Sequence, residues 1–375
     1  MKILLLDQIA RVNYKYGFSL ANTLKNCGNN IEMVIDDRDD PINCHCRYEN
    51  KFITSKKDVG KIKKILNYCQ AYSFIYKKMN KEDFDILHTQ WFQFSPVDYY
   101  YIKKIKKSGK KIITTIHDIL PFNEKFYDRE FHRKIYCLSD QIIVQAENNL
   151  KRFTELFPNC IQKVTYIPHG HFLDYADIHD KFNSRKKLNV PHDKVILLFF
   201  GQIKKVKGVG VLLEAYGKLI QQGRKDIYLI IAGSMWKDEY EIYQDIIKKY
   251  NLNEDTLKFD IRYVPDEEVG YYYSACDIAI LPYIDVYQSG VIQLAYAYSK
   301  PTIATNIGAF SEIVQDGISG FLCEPNDVNS LKNTIAKAIE YKALFDEMGE
   351  KGREFIRDKY SWEDIGIKVT ALYNK

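Results

Sequence analysis

The sequence of 375 residues contains no apolar run that approaches the roughly 20 residues a membrane-spanning helix needs. It also lacks the long apolar segment of a secretory leader, because the apolar start Met1–Leu6 is short and Asp7 interrupts it. These absences predict a first β-strand and a cytoplasmic chain.

Paired metal-ligand motifs are missing as well. The eight cysteines form no Cys-x-x-Cys pair, and a chain of this length needs no disulfide framework. Cys44-His45-Cys46 resembles a metal-binding fragment, but zinc sites space their ligands two to four residues apart and need a second pair. We therefore expect neither a bound metal nor a metal cofactor.

Several motifs of other enzyme classes are absent. The chain has no GxxxxGK[ST] phosphate loop, no HExxH, no Ser-His-Asp order and no GxGxxG after its first strand. These absences argue against P-loop nucleotidases, zinc proteases, serine hydrolases and dehydrogenases. The acidic run at positions 36–40 follows the second predicted strand, and we interpret it as a solvated loop.

The composition is that of a globular protein with two domains. Hydrophobic residues make up 46% of the chain, with 29 Tyr and 20 Phe, so large cores can form. Positions 51–111 carry 15 basic and five acidic groups. This excess is consistent with solvated helix faces, or with attraction to an anionic membrane surface or a phosphorylated acceptor. Nucleic acid is not expected, since no nucleic-acid-binding motif accompanies the charge.

Short apolar runs alternate with helical patterns along the chain, which predicts parallel sheets covered on both faces. The predicted strands are Ile3–Leu6, Ile31–Ile35, Phe84–Thr89, Lys111–Ile116, Gln141–Gln145, Lys163–Ile167, Val195–Phe200, Tyr228–Ala232, Asp277–Leu281 and Thr302–Ala304. The predicted helices between them are Gly17–Cys27, Val97–Ser108, Glu147–Phe157, Gly208–Gln222, Lys237–Tyr250 and Gly290–Tyr298. Positions 180–194 are polar and aperiodic, and we interpret them as the end of a linker.

Two loops, one basic and one containing a glycine, each follow a predicted strand and lead into a predicted helix. Gly201–Gly208 includes Lys204 and Lys207, whose point charges suit a diphosphate. Gln288-Ser289-Gly290-Val291 repeats the arrangement, with backbone amides at a helix start. The structural alternatives are a basic surface turn for the first loop and an ordinary Ser289 helix cap for the second.

His117 ends the predicted strand Lys111–Ile116, a position where side chains contact ligands in parallel sheets. A histidine there can hydrogen-bond a sugar or share a developing charge, and the alternative is a structural histidine bonded to backbone. His88 ends the preceding strand and is a weaker candidate, and His169 and His171 follow the strand that ends at Ile167.

Motifs throughout the chain resemble those of the GT-B glycosyltransferases of retaining family 4, the type that builds bacterial cell-surface polysaccharides. The similar passages are Thr115-Ile116-His117-Asp118, Ile167-Pro168-His169-Gly170, Phe200-Gly201-Gln202-Ile203 with Lys207-Gly208, Tyr263-Val264-Pro265-Asp266-Glu267-Glu268, Asp277 with Leu281-Pro282, Lys300-Pro301 through Thr305, Gly308, Glu312, Asp316-Gly317 and Gly320, and Tyr360-Ser361-Trp362. The resemblance spans almost the whole chain, and the combination is far more specific than any one passage.

The resemblance implies an α/β fold of GT-B type, with two doubly wound Rossmann-like domains facing across a cleft. The acceptor-side domain would span 1–180, the donor-binding domain 190–358, and a C-terminal helix at about 360–375 would pack back onto the first domain. His117 would contact the transferred sugar as the catalytic residue. The donor diphosphate would be held by Gly17 in the loop after the first strand, Lys204, Lys207, Ser289, Gly290 and Val291, and the nucleotide by Gly233, Arg262 and Gln288.

Two positions depart from the family pattern. Gln202 stands where the family usually has Arg directly after the glycine, and a lysine cannot reproduce a bidentate guanidinium contact. The family also often carries two Glu eight positions apart before the Lys-Pro run, whereas the equivalent positions here are Leu294 and Val286, or Ala295 and Tyr287 in the adjacent register.

The resemblance implies transfer from a nucleoside-diphosphate sugar, the co-substrate, to a glycan or lipid-linked acceptor of cell-surface glycan synthesis. The basic stretch suggests peripheral attachment at the inner membrane face. Two alternatives remain at this stage: a transferase for a soluble acceptor, and a non-catalytic nucleotide-sugar-binding partner in an assembly complex, which the missing Glu pair motivates.

Overall fold

The structure is a computed structural model that describes residues 1–36, 44–53, 59–236 and 240–375. Positions 37–40 of the acidic run, positions 54–58 of the basic stretch and positions 237–239 of a predicted helix lie outside the described residues. The chain divides into two compact units, Met1–Gly170 with Tyr360–Lys375 and His171–Lys359, called here the first and second units.

The first unit contains a seven-stranded parallel sheet in the order β3-β2-β1-β4-β5-β6-β7. Its strands are β1 Lys2–Asp7, β2 Asn30–Asp36, β3 Arg47–Phe52, β4 Ile86–Thr89, β5 Lys111–Ile116, β6 Gln141–Val144 and β7 Val164–Tyr166. Its helices, before the C-terminal one, are α1 Ala10–Asn26, α2 Lys61–Lys81, α3 Ser95–Lys107, α4 Asp128–Leu138 and α5 Glu147–Leu156. The strand order reverses between β1 and β4, and doubly wound sheets bind ligands at such a point.

The second unit contains a six-stranded parallel sheet in the order β10-β9-β8-β11-β12-β13. Its elements are α6 Lys181–Leu188, β8 Val195–Phe200, α7 Val209–Gln221, β9 Ile227–Ala232, α8 Tyr240–Lys249, β10 Leu257–Asp260, α9 Asp266–Ala275, β11 Ile278–Leu281, α10 Gly290–Ala297, β12 Thr302–Thr305, α11 Phe310–Ile313, β13 Gly320–Cys323, α12 Val328–Glu340 and α13 Phe345–Lys359. The strand order reverses between β8 and β11. The predicted fold class, two Rossmann-like doubly wound domains, is confirmed for each unit.

The interpretation of positions 180–194 as a linker is wrong. Asp180 caps α6 by accepting a hydrogen bond from the backbone N–H of Asn183 at 2.8 Å, and Asn189 ends the helix in the left-handed conformation. The apparent lack of apolar periodicity arises because α6 buries Arg185, whose guanidinium donates to Asp277 Oδ2 at 2.7 Å. The segment therefore belongs to the second unit, which begins at His171.

The C-terminal helix α14, Trp362–Tyr373, lies in the first unit and packs against α1. Tyr373 Oη lies 2.6 Å from His88 Nδ1, and the Tyr373 carbonyl accepts from Lys111 Nζ at 3.0 Å. A Cβ at Gly170 would come within 2.2 Å of the Trp362 ring, so glycine is required there. No helix in the described parts of the chain is long and apolar enough to cross a membrane.

Candidate functional site

His117 lies directly after β5, and its side chain is almost fully buried. Its Nε2 is 3.0 Å from Oε1 of Gln90, which follows the neighbouring strand β4. The Trp91 ring stacks on the imidazole at 4.4 Å with an interplanar angle of 8°, and Tyr16 of α1 contacts it edge-on at 4.9 Å. The ring is therefore held in a fixed plane one strand away from the reversal of strand order between β1 and β4.

Three histidines at this edge are held neutral. Burial lowers the pKa of His117 well below its ordinary value, and the neighbouring His169 and His88 lower it further. Burial also lowers the pKa of His88 to about 3 and that of His169 to about 4. A neutral imidazole offers one donor and one acceptor, which suits a hydroxyl group.

Buried polar atoms without a hydrogen bond concentrate at this edge of the first unit. Such atoms are rare in folded proteins unless they serve a ligand or another function. They lie at or just after the ends of β1, β4, β5 and β6, with the last in the first turn of α5, and comprise Asp7 Oδ2, Thr89 Oγ1, Gln90 Nε2, Trp91 Nε1, His117 Nδ1, both amide atoms of Gln145 and Asn149 Nδ2. Apart from Asp7, these donors and acceptors are neutral, and the set can recognise a polyhydroxylated ligand.

The prediction that Gly17 lies in the loop after the first strand is wrong. Gly17 lies inside α1, which begins at Ala10. A Cβ at this position would come within 2.5 Å of Asp7 Oδ2. The glycine therefore allows α1 to pack on the Asp7 carboxyl at the end of β1.

Asp7 itself was missed by sequence reasoning, which used it only as the residue that ends an apolar run. It is fully buried, and its Oδ1 accepts from the backbone N–H of Ile9 at 3.3 Å. Burial, with a smaller contribution from nearby Asp36 at the end of β2, raises the pKa of Asp7 to about 7. A carboxyl poised near neutrality at a strand end is typical of functional sites.

In the second unit, Gly201–Gly208 connects β8 to α7, as the sequence predicts. Gly208 ends a 3₁₀ turn, Lys205–Lys207, with φ of 69°, and a Cβ there would lie 1.8 Å from the Pro282 carbonyl oxygen. This glycine lets the loop after β8 pack directly on the loop after β11. The two loops flank the point where the strand order reverses.

Tyr283, another residue that sequence reasoning missed, connects the predicted phosphate-binding residues. Lys207 Nζ lies 3.7 Å from the centre of its ring, and Ser289 Oγ donates to its hydroxyl at 3.5 Å. Burial raises the pKa of Tyr283 to about 12, while the charge of nearby Lys204 opposes the shift. Lys207 and Ser289 thus contact one buried ring, and Lys204 lies near enough for its charge to act on the same phenol.

The helix α10 begins at Gly290, directly after the predicted loop. Ser289 caps it, because its Oγ accepts from the Val291 backbone N–H at 3.3 Å. Val291 also lies beside the first loop, since a Cβ at Gly201 would be 3.6 Å from its Cγ2. Gln288 precedes the cap, and its buried Oε1 makes no hydrogen bond. The positive end of α10 and two lysines therefore meet at one place, as an anion site requires.

Gly233 and Arg262 follow β9 and β10. Gly233 has φ of 148°, and a Cβ there would lie 1.9 Å from the Gly201 carbonyl oxygen, so these two loops touch through their backbones. Arg262 pairs with Asp260 at 3.1 Å and also with Glu268, and its guanidinium donates to Tyr272 Oη at 3.0 Å. Its side chain is thus occupied within the unit, which leaves its backbone as the part available to a nucleotide.

Two family models match the chain in tandem. The model of glycosyltransferase family 4 matches residues 15–174, and the model of glycosyl transferases group 1 matches residues 180–355. The chain is therefore a glycosyltransferase built from a family 4 domain followed by a group 1 domain. This transferase has the GT-B architecture, since each of its units contains the parallel sheet described above.

Characterised and uncharacterised transferases resemble this glycosyltransferase over most of their length. It is 28% identical over 341 residues to an uncharacterised glycosyltransferase of Methanocaldococcus jannaschii, covering 88% of this chain and 86% of the relative. It is 26% identical over 329 residues to a lipopolysaccharide 1,2-N-acetylglucosaminetransferase of Salmonella typhimurium, covering 80% and 83%. The solved structure of the Anabaena protein HepE in complex with UDP-glucose superposes with a TM-score of 0.77 at 16% identity, covering 100% and 99%.

The transferase carries no Glu at the positions where the family often has its pair. Leu294 and Val286 are buried apolar residues, so neither contributes to a polar site. The adjacent Gln293 of α10 is 1% exposed, and neither of its amide atoms makes a hydrogen bond. Among the residues that the structure describes, no group of three or more His, Cys, Asp or Glu could hold a metal ion.

Proposed function

We propose that this glycosyltransferase transfers a sugar, with retention of anomeric configuration, from a nucleoside-diphosphate sugar to an acceptor hydroxyl. The observation that carries the proposal is the meeting of Lys204, Lys207 and the start of α10 around Tyr283. Two cations and a helix N-terminus suit a diphosphate. Retention is proposed from the resemblance to family 4.

In the proposed reaction, the bond from the anomeric carbon to the diphosphate oxygen breaks and the nucleoside diphosphate leaves. The acceptor oxygen bonds to the anomeric carbon, and its proton passes to the leaving diphosphate oxygen, so the products are the glycoside and the protonated nucleoside diphosphate. Lys204, Lys207 and the amides of Ser289, Gly290 and Val291 would stabilise the charge on the leaving group, without a metal ion. The backbone at Gly233 and Arg262 and the side chain of Gln288 would hold the nucleoside.

His117 would hold the transferred sugar at the first unit, where the polar groups are buried and neutral. A polyhydroxylated ring presents both donors and acceptors to such a surface. Support for the donor class comes from HepE, whose structure contains UDP-glucose, and from the Salmonella relative, whose name describes N-acetylglucosamine transfer.

We further propose that the acceptor is a lipid-linked or polysaccharide intermediate and that the enzyme associates peripherally with the inner face of the cell membrane. Ile62 and Leu66 at the start of α2 are 77% and 57% exposed, and the exposed Lys63 lies between them. On α3, Lys103, Lys104 and Lys107 are exposed. Apolar side chains beside lysines favour the surface of an anionic bilayer.

A further exposed aromatic lies near this surface. Phe126, in the loop between His117 and α4, is 98% exposed. The Phe94 ring lies 5.0 Å from the Tyr68 ring of α2 and 6.0 Å from Nζ of Lys125, next to Phe126. The start of α2 and the loop after His117 therefore flank the same edge of the first sheet, which would place a lipid-linked acceptor beside the proposed sugar site.

The donor proposal is tested by thermal stabilisation with UDP, GDP, ADP and their sugars, because a ligand that binds only the folded protein raises its stability by RT ln(1 + [L]/Kd). One nucleotide series should raise the unfolding temperature, and the matching sugar nucleotide should be consumed. Turnover that falls in both His117→Ala and Lys207→Ala excludes a non-catalytic binding role. Unchanged turnover in both variants would refute the site assignment.

The acceptor proposal is tested by co-sedimentation with vesicles of phosphatidylglycerol and phosphatidylcholine. Wild-type protein should sediment with anionic vesicles and not with neutral ones. Combined Ile62→Ser and Leu66→Ser, or combined Lys103→Glu and Lys107→Glu, should weaken sedimentation. Lys106 is left unchanged because it pairs with Asp140 at 2.5 Å. Protein that stays in the supernatant would instead indicate a soluble acceptor.

A further inference from the structure

Gln90 is placed to control which nitrogen of the His117 ring carries the proton. It follows β4 at the reversal of strand order and is 2% exposed, and its Oε1 lies 3.0 Å from His117 Nε2. An amide oxygen only accepts hydrogen bonds, so the nitrogen that faces it must carry the proton. This contact favours the tautomer with the proton on Nε2.

The environment of the ring fixes the opposite nitrogen as an acceptor. The ring is buried, so it carries a single proton near neutral pH. The ring cannot exchange its two nitrogens by turning over without displacing the stacked Trp91 at 4.4 Å and Tyr16 at 4.9 Å. Nδ1 is therefore left with a lone pair, and it makes no hydrogen bond within the described residues.

We propose that Gln90 is a positioning residue that holds neutral His117 in the Nε2–H tautomer, so that Nδ1 accepts a hydrogen bond from a hydroxyl group of the bound sugar. The inference rests on the proposed function, which places the sugar at His117. A lone pair repels carboxylate and phosphate oxygens, so the group that binds here must be a donor. The site accordingly selects a neutral sugar over a uronic acid at this contact.

Other groups around the ring are compatible with this selection. The titratable side chains that face it are Tyr16 from α1, His88 from β4 and His169 after β7. Burial raises the pKa of Tyr16 above its ordinary value, so this phenol stays neutral, as do both histidines. The neutral Gln145 amide lies close enough to raise the pKa of His117, opposing the effect of burial, but neither of its amide atoms makes a hydrogen bond with the ring.

The tautomer is measured by ¹⁵N NMR of the full-length protein labelled at histidine, with the His117 signals assigned by their loss in His117→Gln. At pH 7 we expect a protonated Nε2 and an unprotonated Nδ1. In Gln90→Leu the two tautomers should both be populated. A wild-type ring that carries its proton on Nδ1, or on both nitrogens, would overturn the proposal whatever the enzyme's activity.

The activity of Gln90 variants tests whether the tautomer of His117 affects turnover. Gln90→Leu should lower kcat/KM about tenfold, the ratio for one lost hydrogen bond. Gln90→Glu keeps an acceptor at Nε2 but stabilises the imidazolium, so its activity should fall as pH decreases from 8 to 6 while that of wild type does not. The exposed Gln70→Leu of α2 serves as the matched control and should behave as wild type.

These results separate the inference from the proposed function. If His117→Ala removes turnover but Gln90→Glu shows the wild-type pH profile and Gln90→Leu the wild-type tautomer, the site stands and the role of Gln90 is refuted. If His117→Ala leaves turnover unchanged while the NMR shows the Nε2–H tautomer, Gln90 positions the ring but the sugar does not bind there, and both proposals are refuted.

Discussion

The two candidate sites of this glycosyltransferase each lie beside the reversal of strand order in a parallel sheet, but they differ in charge. In the first unit the groups around His117 are buried and neutral, with many polar atoms that make no hydrogen bond. In the second unit, Lys204 and Lys207 lie with the start of α10 around Tyr283. One fold thus supports a site suited to hydroxyl groups and another suited to a diphosphate, because the loops and not the strands supply the chemistry.

The largest expected effect is on the neutral site. His117→Ala should lower kcat/KM by about a hundredfold, the scale for a group that stabilises a transition state directly. The affinity for the free nucleoside diphosphate should change little, since the proposed diphosphate contacts lie in the second unit. The measurement is steady-state turnover together with nucleotide-induced thermal stabilisation. The exposed His192→Ala is the control, and an equal loss in both variants would show that the effect is not specific to this site.

The complementary change in the charged site is Lys207→Ala. Its loss should weaken both donor binding and turnover by roughly ten- to a hundredfold, as expected for one charge-assisted contact. The defect should exceed that of Lys225→Ala, an exposed lysine elsewhere in the same unit. If free nucleoside diphosphate bound Lys207→Ala as tightly as wild type, the positive charge of the second site would not contribute to donor binding.

Sequence reasoning predicted the charged site better than the neutral one. The loops 201–208 and 288–291 are contiguous runs after apolar strands, so their chemistry is visible in the sequence. His117 was predicted for the same reason, but Gln90 and Trp91 contact it only because β4 pairs with β5, which a single sequence does not reveal. Tyr283 was missed because its partners lie in separate loops.

Contacts between residues distant in sequence also explain errors in the predicted fold. The helix α6 buries Arg185 against Asp277, 92 positions away, so its pattern reads as a polar linker. The strand β3 and the helix α2 were not predicted, because charge rather than apolar periodicity dominates positions 47–81. Gly17 was placed in a loop although α1 extends to Ala10, since nothing local to that segment reveals its contact with Asp7.

The buried carboxyl groups of Asp7 and Asp98 offer a second comparison, within the first unit. Its pKa in the fold, about 7, lies above the ordinary 3.8, so the folded protein favours the protonated carboxyl. Its contribution to stability is therefore fully present below pH 4 and is lost as pH rises to 7. Asp7→Asn should become more stable than wild type over that range, by up to about 4 kcal/mol at pH 7. Denaturant unfolding at pH 4, 5.5 and 7 measures this difference.

Asp98 is the matched contrast, because burial raises its pKa to about 7 as well. Unlike Asp7, it accepts hydrogen bonds from Tyr68 at 2.6 Å, Tyr72 at 2.7 Å and the backbone N–H of Phe94 at 3.1 Å. An amide cannot accept at both of its atoms, so Asp98→Asn should gain about 1–3 kcal/mol less stability at pH 7 than Asp7→Asn does. Equal stabilisation of both variants would show that burial alone, and not the pattern of hydrogen bonds, governs these carboxyls.

The smallest expected effect concerns Arg262 in the second unit. Its guanidinium is 42% exposed and already pairs with Asp260 and Glu268. Exposed ion pairs contribute about 0–1 kcal/mol, so Arg262→Ala should lower stability by less than that. If the nucleotide contacts only the backbone of Arg262, kcat/KM should stay within about threefold of wild type. A threefold change corresponds to about 0.6 kcal/mol, and the loss of one side-chain hydrogen bond to the donor would cost more. A loss comparable to that of Lys207→Ala would mean that the guanidinium leaves its carboxylate partners to bind the donor, and that the charged site extends to β10.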